Sequence, residues 1–207
     1  MAQTVLISGD SYVAGVGDPI SETENRGWAR RLEDELAGRA NIEIRGVSGN
    51  TVRDLAQRFE NDFTETKPDF VVYALGINDS RFLGPDDLRS QVPLEEFEAT
   101  WRHVLDRTFE LGASKVVLNG VPRIDETRAH PRGRTDRAYR NELAERYDAV
   151  LAGFADPGRI EYLPMSGIIR PGLDPDILGD GLHPTPAGHE AIKDAVEALL
   201  LSPDFLG

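Results

Sequence analysis

Four short stretches hold residue types that together can cleave an ester. In chain order they are Gly9-Asp10-Ser11, Ser48-Gly49-Asn50, Gly76-Ile77-Asn78-Asp79 and Asp180-Gly181-Leu182-His183. A serine hydroxyl is a poor nucleophile until a base accepts its proton. Histidine suits that task because an unperturbed imidazole titrates at about pH 6.5. A carboxylate must hold the ring in one tautomer and stabilise the imidazolium. Hydrogen-bond donors must face the oxygen on which negative charge develops. Ser11, His183 and Asp180 have the chemistry for the first three tasks. The Ser11 and Gly49 amides and the Asn78 side chain are candidates for the fourth. Asp10 and Asp79 are expected to support their own turns by accepting from nearby amides.

Distant stretches can meet only if the fold carries them to one place, and the apolar pattern supplies such a fold. Short β-branched runs at 4–7, 42–47, 70–75, 115–120 and 160–163 read as buried strands. Helical spacing lies between them. Trp28, Leu32 and Leu36 precede Gly38 as a stop, and Val52, Leu55, Phe59 and Phe63 follow Asn50 or Thr51 as an N-cap. Phe97, Trp101, Val104, Leu105 and Phe109 run toward Gly112. Tyr139, Leu143, Tyr147, Val150 and Leu151 mark a fourth helix, and Ala187, Ala191, Ile192, Ala195, Leu199 and Leu200 a last one. Alternating strands and helices predict an α/β fold: a three-layer, flavodoxin-like sandwich around a five-stranded parallel sheet in the order 2-1-3-4-5. No repeat or linker divides the chain, so residues 1–207 are expected to form a single domain. Ligands of such sheets bind beyond the carboxyl ends of the strands, at the switch point between strands 1 and 3. The first three polar stretches each follow a strand, and the fourth precedes the last helix. Longer loops at 14–26, 80–93 and 122–135, and an irregular stretch at 166–179, are placed to shape a pocket.

Composition narrows the partners. The 207 residues are 40% hydrophobic and 29% charged, as in a water-soluble globular chain. Lys and Arg number 23 against 36 Asp and Glu, a formal net charge of −13 that repels nucleic-acid phosphates. There is no cysteine, hence no disulfide, thiol nucleophile or thiolate metal site. No apolar run approaches the roughly 18 residues of a membrane span, and Met1-Ala2-Gln3-Thr4 lacks a basic leader, so a cytoplasmic location is expected.

The four stretches resemble the four blocks of the SGNH (GDSL-type) hydrolase family. Gly9-Asp10-Ser11 is similar to its nucleophile block, Gly49 falls at its oxyanion glycine, Gly76-Ile77-Asn78-Asp79 matches G-x-N-D and Asp180-Gly181-Leu182-His183 matches D-x-x-H. The resemblance runs in family order over residues 9–183. It implies a metal-free hydrolase of small-molecule carboxylic esters or thioesters, often of short acyl groups, that uses no cofactor. Tyr12 departs from the leucine usual after the serine, and is expected to pack beside the site. Residues 16–27 are longer than a minimal version needs.

Other readings compete for the same residues. Gly46-Val47-Ser48-Gly49-Asn50 nearly reads G-x-S-x-G between a strand and a helix, which makes Ser48 a rival nucleophile. A turn that offers the Gly49 amide is the simpler reading. Asp10, Asp180, His183 and His189 are metal-ligand types, but H-E-x-x-H is absent and His189 is expected to be solvated or half-buried on the last helix. His103 is expected at the surface or satisfied. His130 sits in a stretch where six arginines (123, 128, 132, 134, 137 and 140) face Asp125, Glu126 and Asp136. That island could steer an anionic group, although a solvated charged loop explains it more simply. Acyl transfer to an alcohol, or acyl or carbohydrate binding without turnover, remain the alternatives to hydrolysis.

Overall fold

Five strands, β1 (Gln3–Gly9), β2 (Ala40–Gly46), β3 (Phe70–Ala74), β4 (Lys115–Asn119) and β5 (Ile160–Leu163), pair in parallel in the order β2-β1-β3-β4-β5. The computed structural model describes residues 2–84, 89–129 and 138–207. Gly9 lies opposite Gly46 on one side and Ala74 on the other. The three strands that carry the first three polar stretches therefore end level with one another.

Both faces of the sheet are buried, as the unbroken apolar runs require. Side chains alternate along each strand, so Leu6, Val71, Tyr73, Val116 and Leu118 pack on one face and Val5, Ile7, Val72 and Val117 on the other. Helices α2 (Val52–Thr66), α4 (Leu94–Glu110) and α5 (Asn141–Ala152) cover the first face through Phe59, Trp101 and Tyr147. Helices α1 (Gly27–Glu35) and α6 (Pro186–Leu200) cover the second through Trp28, Leu32, Ile192 and Val196. Trp101 stands edge-to-face between Tyr73 and Phe97, with ring centroids 5.4 and 6.2 Å away. Such pairs add about 0.5–1.5 kcal/mol beyond area burial.

Helix α2 starts at Thr51, one of the two caps considered, whose backbone N–H and hydroxyl both donate to Asp54, 2.8 and 2.7 Å away. A four-residue helix, α3 (Ile77–Ser80), turns the chain directly after β3. It is too short to leave a periodic trace, and the sequence reading has no counterpart for it. The 14–26 loop is pinned rather than draped. Arg31 grips the Asp18 carboxylate through Nε and Nη2 at 3.0 and 2.8 Å, and the Gly27 amide donates to it at 3.1 Å. Gly27 has φ of +63°, and a Cβ there would stand 2.3 Å from the Gly15 Cα, so the two ends of the loop touch backbone to backbone.

Candidate active site

The N-terminal turn leaves the sheet at the end of β1. The Asp10 amide donates to the Ala74 carbonyl at 3.2 Å, and Asp10 Oδ1 accepts from the Tyr12 amide at 3.0 Å. These bonds hold Ser11 above the crevice between β1 and β3. Arg58 on α2 braces the same corner from below. Its guanidinium donates to the Gly9 and Arg45 carbonyls at 3.1 Å each, to Ser8 Oγ at 3.1 Å and to Asn50 Oδ1 at 3.0 Å, with Asp62 as its acidic partner. One half-buried cation thus ties the ends of β1 and β2 to the loop that carries Gly49.

The C-terminal turn forms around Asp180. Its Oδ1 accepts the Leu182 and His183 amides at 3.0 and 2.7 Å, and its Oδ2 lies 2.8 Å from His183 Nδ1. Gly181 has φ of +84° and sits hard against the Arg128–Ala129 backbone, where a Cβ would come within 2.6 Å of the Ala129 nitrogen. The Asp125 amide donates to the Gly181 carbonyl at 2.9 Å. From this turn His183 reaches across, and its Nε2 lies 3.1 Å from Ser11 Oγ.

The proton positions follow from the partners. Burial alone would raise Asp180, but the ring hydrogen bond and the two backbone amides outweigh it and hold the carboxyl well below the usual range. An ionised carboxylate only accepts, so Nδ1 carries the proton and Nε2 presents its lone pair to the Ser11 hydroxyl. That arrangement can remove a proton from Ser11 when an electrophile arrives.

Asn78 lies beside these groups. Its amide nitrogen donates to Asp10 Oδ2 at 3.3 Å and to the Asn50 carbonyl at 3.1 Å, while its oxygen faces Tyr139 Oη at 3.4 Å and Arg81 Nη1 at 3.5 Å. Asn78 thus joins the loops that carry Ser11 and Gly49. Among the described residues, the Ser11 and Gly49 amides have no acceptor. They are free to meet a developing oxyanion. The Asn78 bond to Asp10 is long enough to be exchanged for a stronger, charged acceptor.

The two supporting aspartates differ from each other. Asp10 accepts from the Tyr12 amide of its own turn and from the Asn78 side chain. Asp79 reaches further than its own loop, for its Oδ1 accepts the Val52 amide at the start of α2 at 2.8 Å. It is fully buried, and its Oδ2 has no partner among the described residues. Burial pushes its carboxyl well above the usual range. Burial also pushes Asp10 up to about 7, against the opposing pull of the Tyr12 amide and the His183 ring. A carboxyl raised in the folded state keeps its proton longer there than in the unfolded chain. Its contribution is then most favourable below the unfolded value of about 4 and is lost as pH rises through about 7, a swing of about 4 kcal/mol. Asp10→Asn is therefore expected to lose less stability than wild type between pH 4.5 and 8 in urea melts. Parallel curves for the two proteins would show that Asp10 does not titrate in this way.

The remaining candidates resolve by position. Ser48 is exposed, and the serine that faces His183 is Ser11. His189 is not solvated or half-buried as expected but has no exposed surface. Its Nδ1 accepts the Trp28 amide at 3.3 Å and its Nε2 donates to the Val16 carbonyl at 3.1 Å. Both nitrogens fasten the 14–26 loop to α1 and α6, so neither serves as a metal ligand. Periodicity places a residue on a helix face but does not show that a loop closes over that face. His103 is exposed, with its ring edge-on to Phe59. His130 and Arg132, Arg134, Asp136 and Arg137 lie outside the described residues. Arg123, Arg128 and Arg140 pair with Glu145, Asp125 and Glu126, as in a solvated charged loop. Sequence reasoning missed Arg58. The trace it left was an Arg–Asp pair at i, i+4 on α2, a spacing common on any exposed helix.

Comparison with known proteins agrees with this picture. The profile of the GDSL-like lipase/acylhydrolase family matches residues 7–191. An acetylxylan esterase of Geobacillus stearothermophilus is 30% identical over 153 residues, which cover 73% of this chain and 68% of that protein. The crystal structure of LAE5, an alpha/beta hydrolase enzyme from the metagenome of Lake Arreo, Spain, superposes with a TM-score of 0.73 at 27% identity, covering 96% of this chain and 95% of that one. A lipase/acylhydrolase from Enterococcus faecalis shares the fold, with a TM-score of 0.70 at 23% identity over 96% of this chain and 95% of that one.

Proposed function

The chain belongs to the GDSL-like lipase/acylhydrolase family and is an ester hydrolase, and from that premise we propose that Ser11, His183 and Asp180 are its catalytic triad. His183 Nε2 takes the Ser11 proton as Oγ attacks the acyl carbon. The carbonyl π pair moves onto oxygen, where the Ser11 and Gly49 amides and the Asn78 amide nitrogen receive it. Collapse breaks the bond to the leaving alcohol or thiol, which departs with the proton from His183 Nε2. Water then attacks the acyl-Ser11 carbonyl while His183 accepts its proton. The second tetrahedral species expels Ser11 Oγ, which regains that proton, and the free acid leaves. Asp180 keeps Nδ1 protonated throughout and stabilises the transient imidazolium. Asp10 and Asp79 support the site without reacting. No cofactor enters these steps, and residues 1–207 act as one domain.

The observation that carries this reading is the continuous line from Ser11 Oγ through His183 to Asp180, at 3.1 and 2.8 Å. Support for a small acyl group comes from the acetylxylan esterase relative. The substrates are therefore taken to be short-chain carboxylic esters, with short acyl thioesters as the second class.

A panel of p-nitrophenyl acetate, butyrate and octanoate, with acetyl- and butyryl-coenzyme A beside them, tests the reading. Acetate or butyrate is expected to exceed octanoate at least ~10-fold in kcat/KM, because a small pocket rejects each extra methylene by about 1–3 kcal/mol. A preference for octanoate would overturn the short-acyl assignment. Product analysis with added alcohol should give the free acid, whereas a transferred acyl group would favour the transferase reading. Binding without turnover, together with no labelling by a fluorophosphonate, would favour a binding protein.

A further inference from the structure

Tyr12 is the residue at which this chain departs from the usual nucleophile block, and its side chain spans the two halves of the site. Its phenol is buried, and Oη donates to the Leu182 carbonyl at 2.7 Å. That carbonyl belongs to the peptide group whose nitrogen is the His183 amide. The amide end of the same peptide donates to Asp180 Oδ1 at 2.7 Å. The peptide plane that aims His183 is thus held at both ends, by Asp180 at its N–H and by Tyr12 at its C=O. Tyr12 is also bonded directly to Ser11 along the chain, and its own amide is fixed by Asp10 at 3.0 Å.

Resting on the triad reading above, we propose that Tyr12 is a positioning residue that sets the distance between Ser11 Oγ and His183 Nε2 by clamping the Leu182–His183 peptide to the serine turn.

The surroundings suit this role. Burial, with Asp10 and Asp180 nearby, raises the phenol well above its ordinary value, so it stays a donor. Tyr12 is buried and lines a small cavity with Trp28, Met165 and Ile192. On the far side of the histidine turn, a Cβ on Gly17 would strike the Pro184 carbonyl oxygen at 2.0 Å, so the 14–26 loop already backs the turn. The turn is therefore backed by packing, and the phenol ties its backbone to the serine side, beside the contact between His183 Nε2 and Ser11 Oγ. Proximity arguments set the expected effect, since misplacing a reacting group by about 1 Å can cost about 10²-fold in rate.

Tyr12→Phe removes the hydroxyl alone, and Tyr12→Leu restores the usual residue of the nucleophile block. Active sites are counted by complete fluorophosphonate labelling, and p-nitrophenyl acetate turnover is expressed per labelled site. Expected is a fall in kcat of ~10-fold to 100-fold in both variants with KM within about twofold. Loss of folded protein alone would lower the labelled fraction and leave per-site kcat unchanged. Should the phenylalanine variant be unstable, the leucine variant carries the same expectation. Full per-site kcat in a folded variant overturns the role of Tyr12 while leaving the triad intact. Retained turnover in Ser11→Ala, run alongside, overturns the triad and this inference with it.

Discussion

Ser11→Ala is expected to lower p-nitrophenyl acetate turnover by about 10⁴-fold or more, because in the proposed mechanism Ser11 Oγ forms the acyl intermediate. The residual rate would come from the oxyanion donors and substrate binding, which survive loss of the nucleophile. Stability should change little. One hydrogen bond to His183 Nε2 disappears, worth about 1 kcal/mol, and a chain of this length converts that to about 2–4 °C in Tm. Circular dichroism melts beside the kinetic assay separate the two effects. A fluorophosphonate should label wild type and leave the variant untouched. Undiminished turnover would pass the role to another serine, and Ser48→Ala would then be the first variant to make.

Asp180→Asn is the second large effect, expected at about 10³-fold or more in kcat with KM little changed. Asparagine keeps an oxygen for the Leu182 and His183 amides, so the turn should persist. Its other atom is then an NH₂ facing His183 Nδ1. A donor opposite Nδ1 makes that nitrogen the acceptor, and the ring proton moves to Nε2. The base then points a hydrogen at Ser11 instead of a lone pair, the fault that makes the equivalent change so damaging in serine proteases. Half of the Asp180 side chain is exposed, 55%, so water can restore part of the proper tautomer and the loss stays below that of Ser11→Ala. Because the two residues act through one histidine, the double variant should be about as slow as Ser11→Ala alone. Additive losses would mean that Asp180 works on something other than His183.

The sheet was readable because its strands are buried on both faces. Runs such as Val5-Leu6-Ile7 and Phe70-Val71-Val72 contain no polar residue to confuse them with exposed strands, and each is followed by a glycine or polar stretch. The same punctuation marked Ser11, Gly49 and Asn78, since a parallel sheet brings its strand ends to one edge, whereas Asp180 stands in the stretch before α6. Contacts made by side chains across the fold left no such mark. Neither the phenol of Tyr12 on the Leu182 carbonyl nor the reach of Arg58 to Ser8, Gly9, Arg45 and Asn50 has a local pattern. His189 looked like any histidine on an amphipathic helix, and only the return of the 14–26 loop decides its burial. Asp79 reads as a turn residue, while its partner, the Val52 amide, lies 27 positions away.

The hydrogen bond between Ser11 and His183 joins positions 172 apart in the chain. During synthesis the ribosome therefore releases the whole sheet before the imidazole emerges. An emerging chain that already holds β1 to β5 still lacks the imidazole that faces Ser11 and the helix α6 that covers one face of the sheet. A chain ended upstream of Asp180 would lack both His183 and α6, leaving the face of the sheet that Ile192 and Val196 cover exposed.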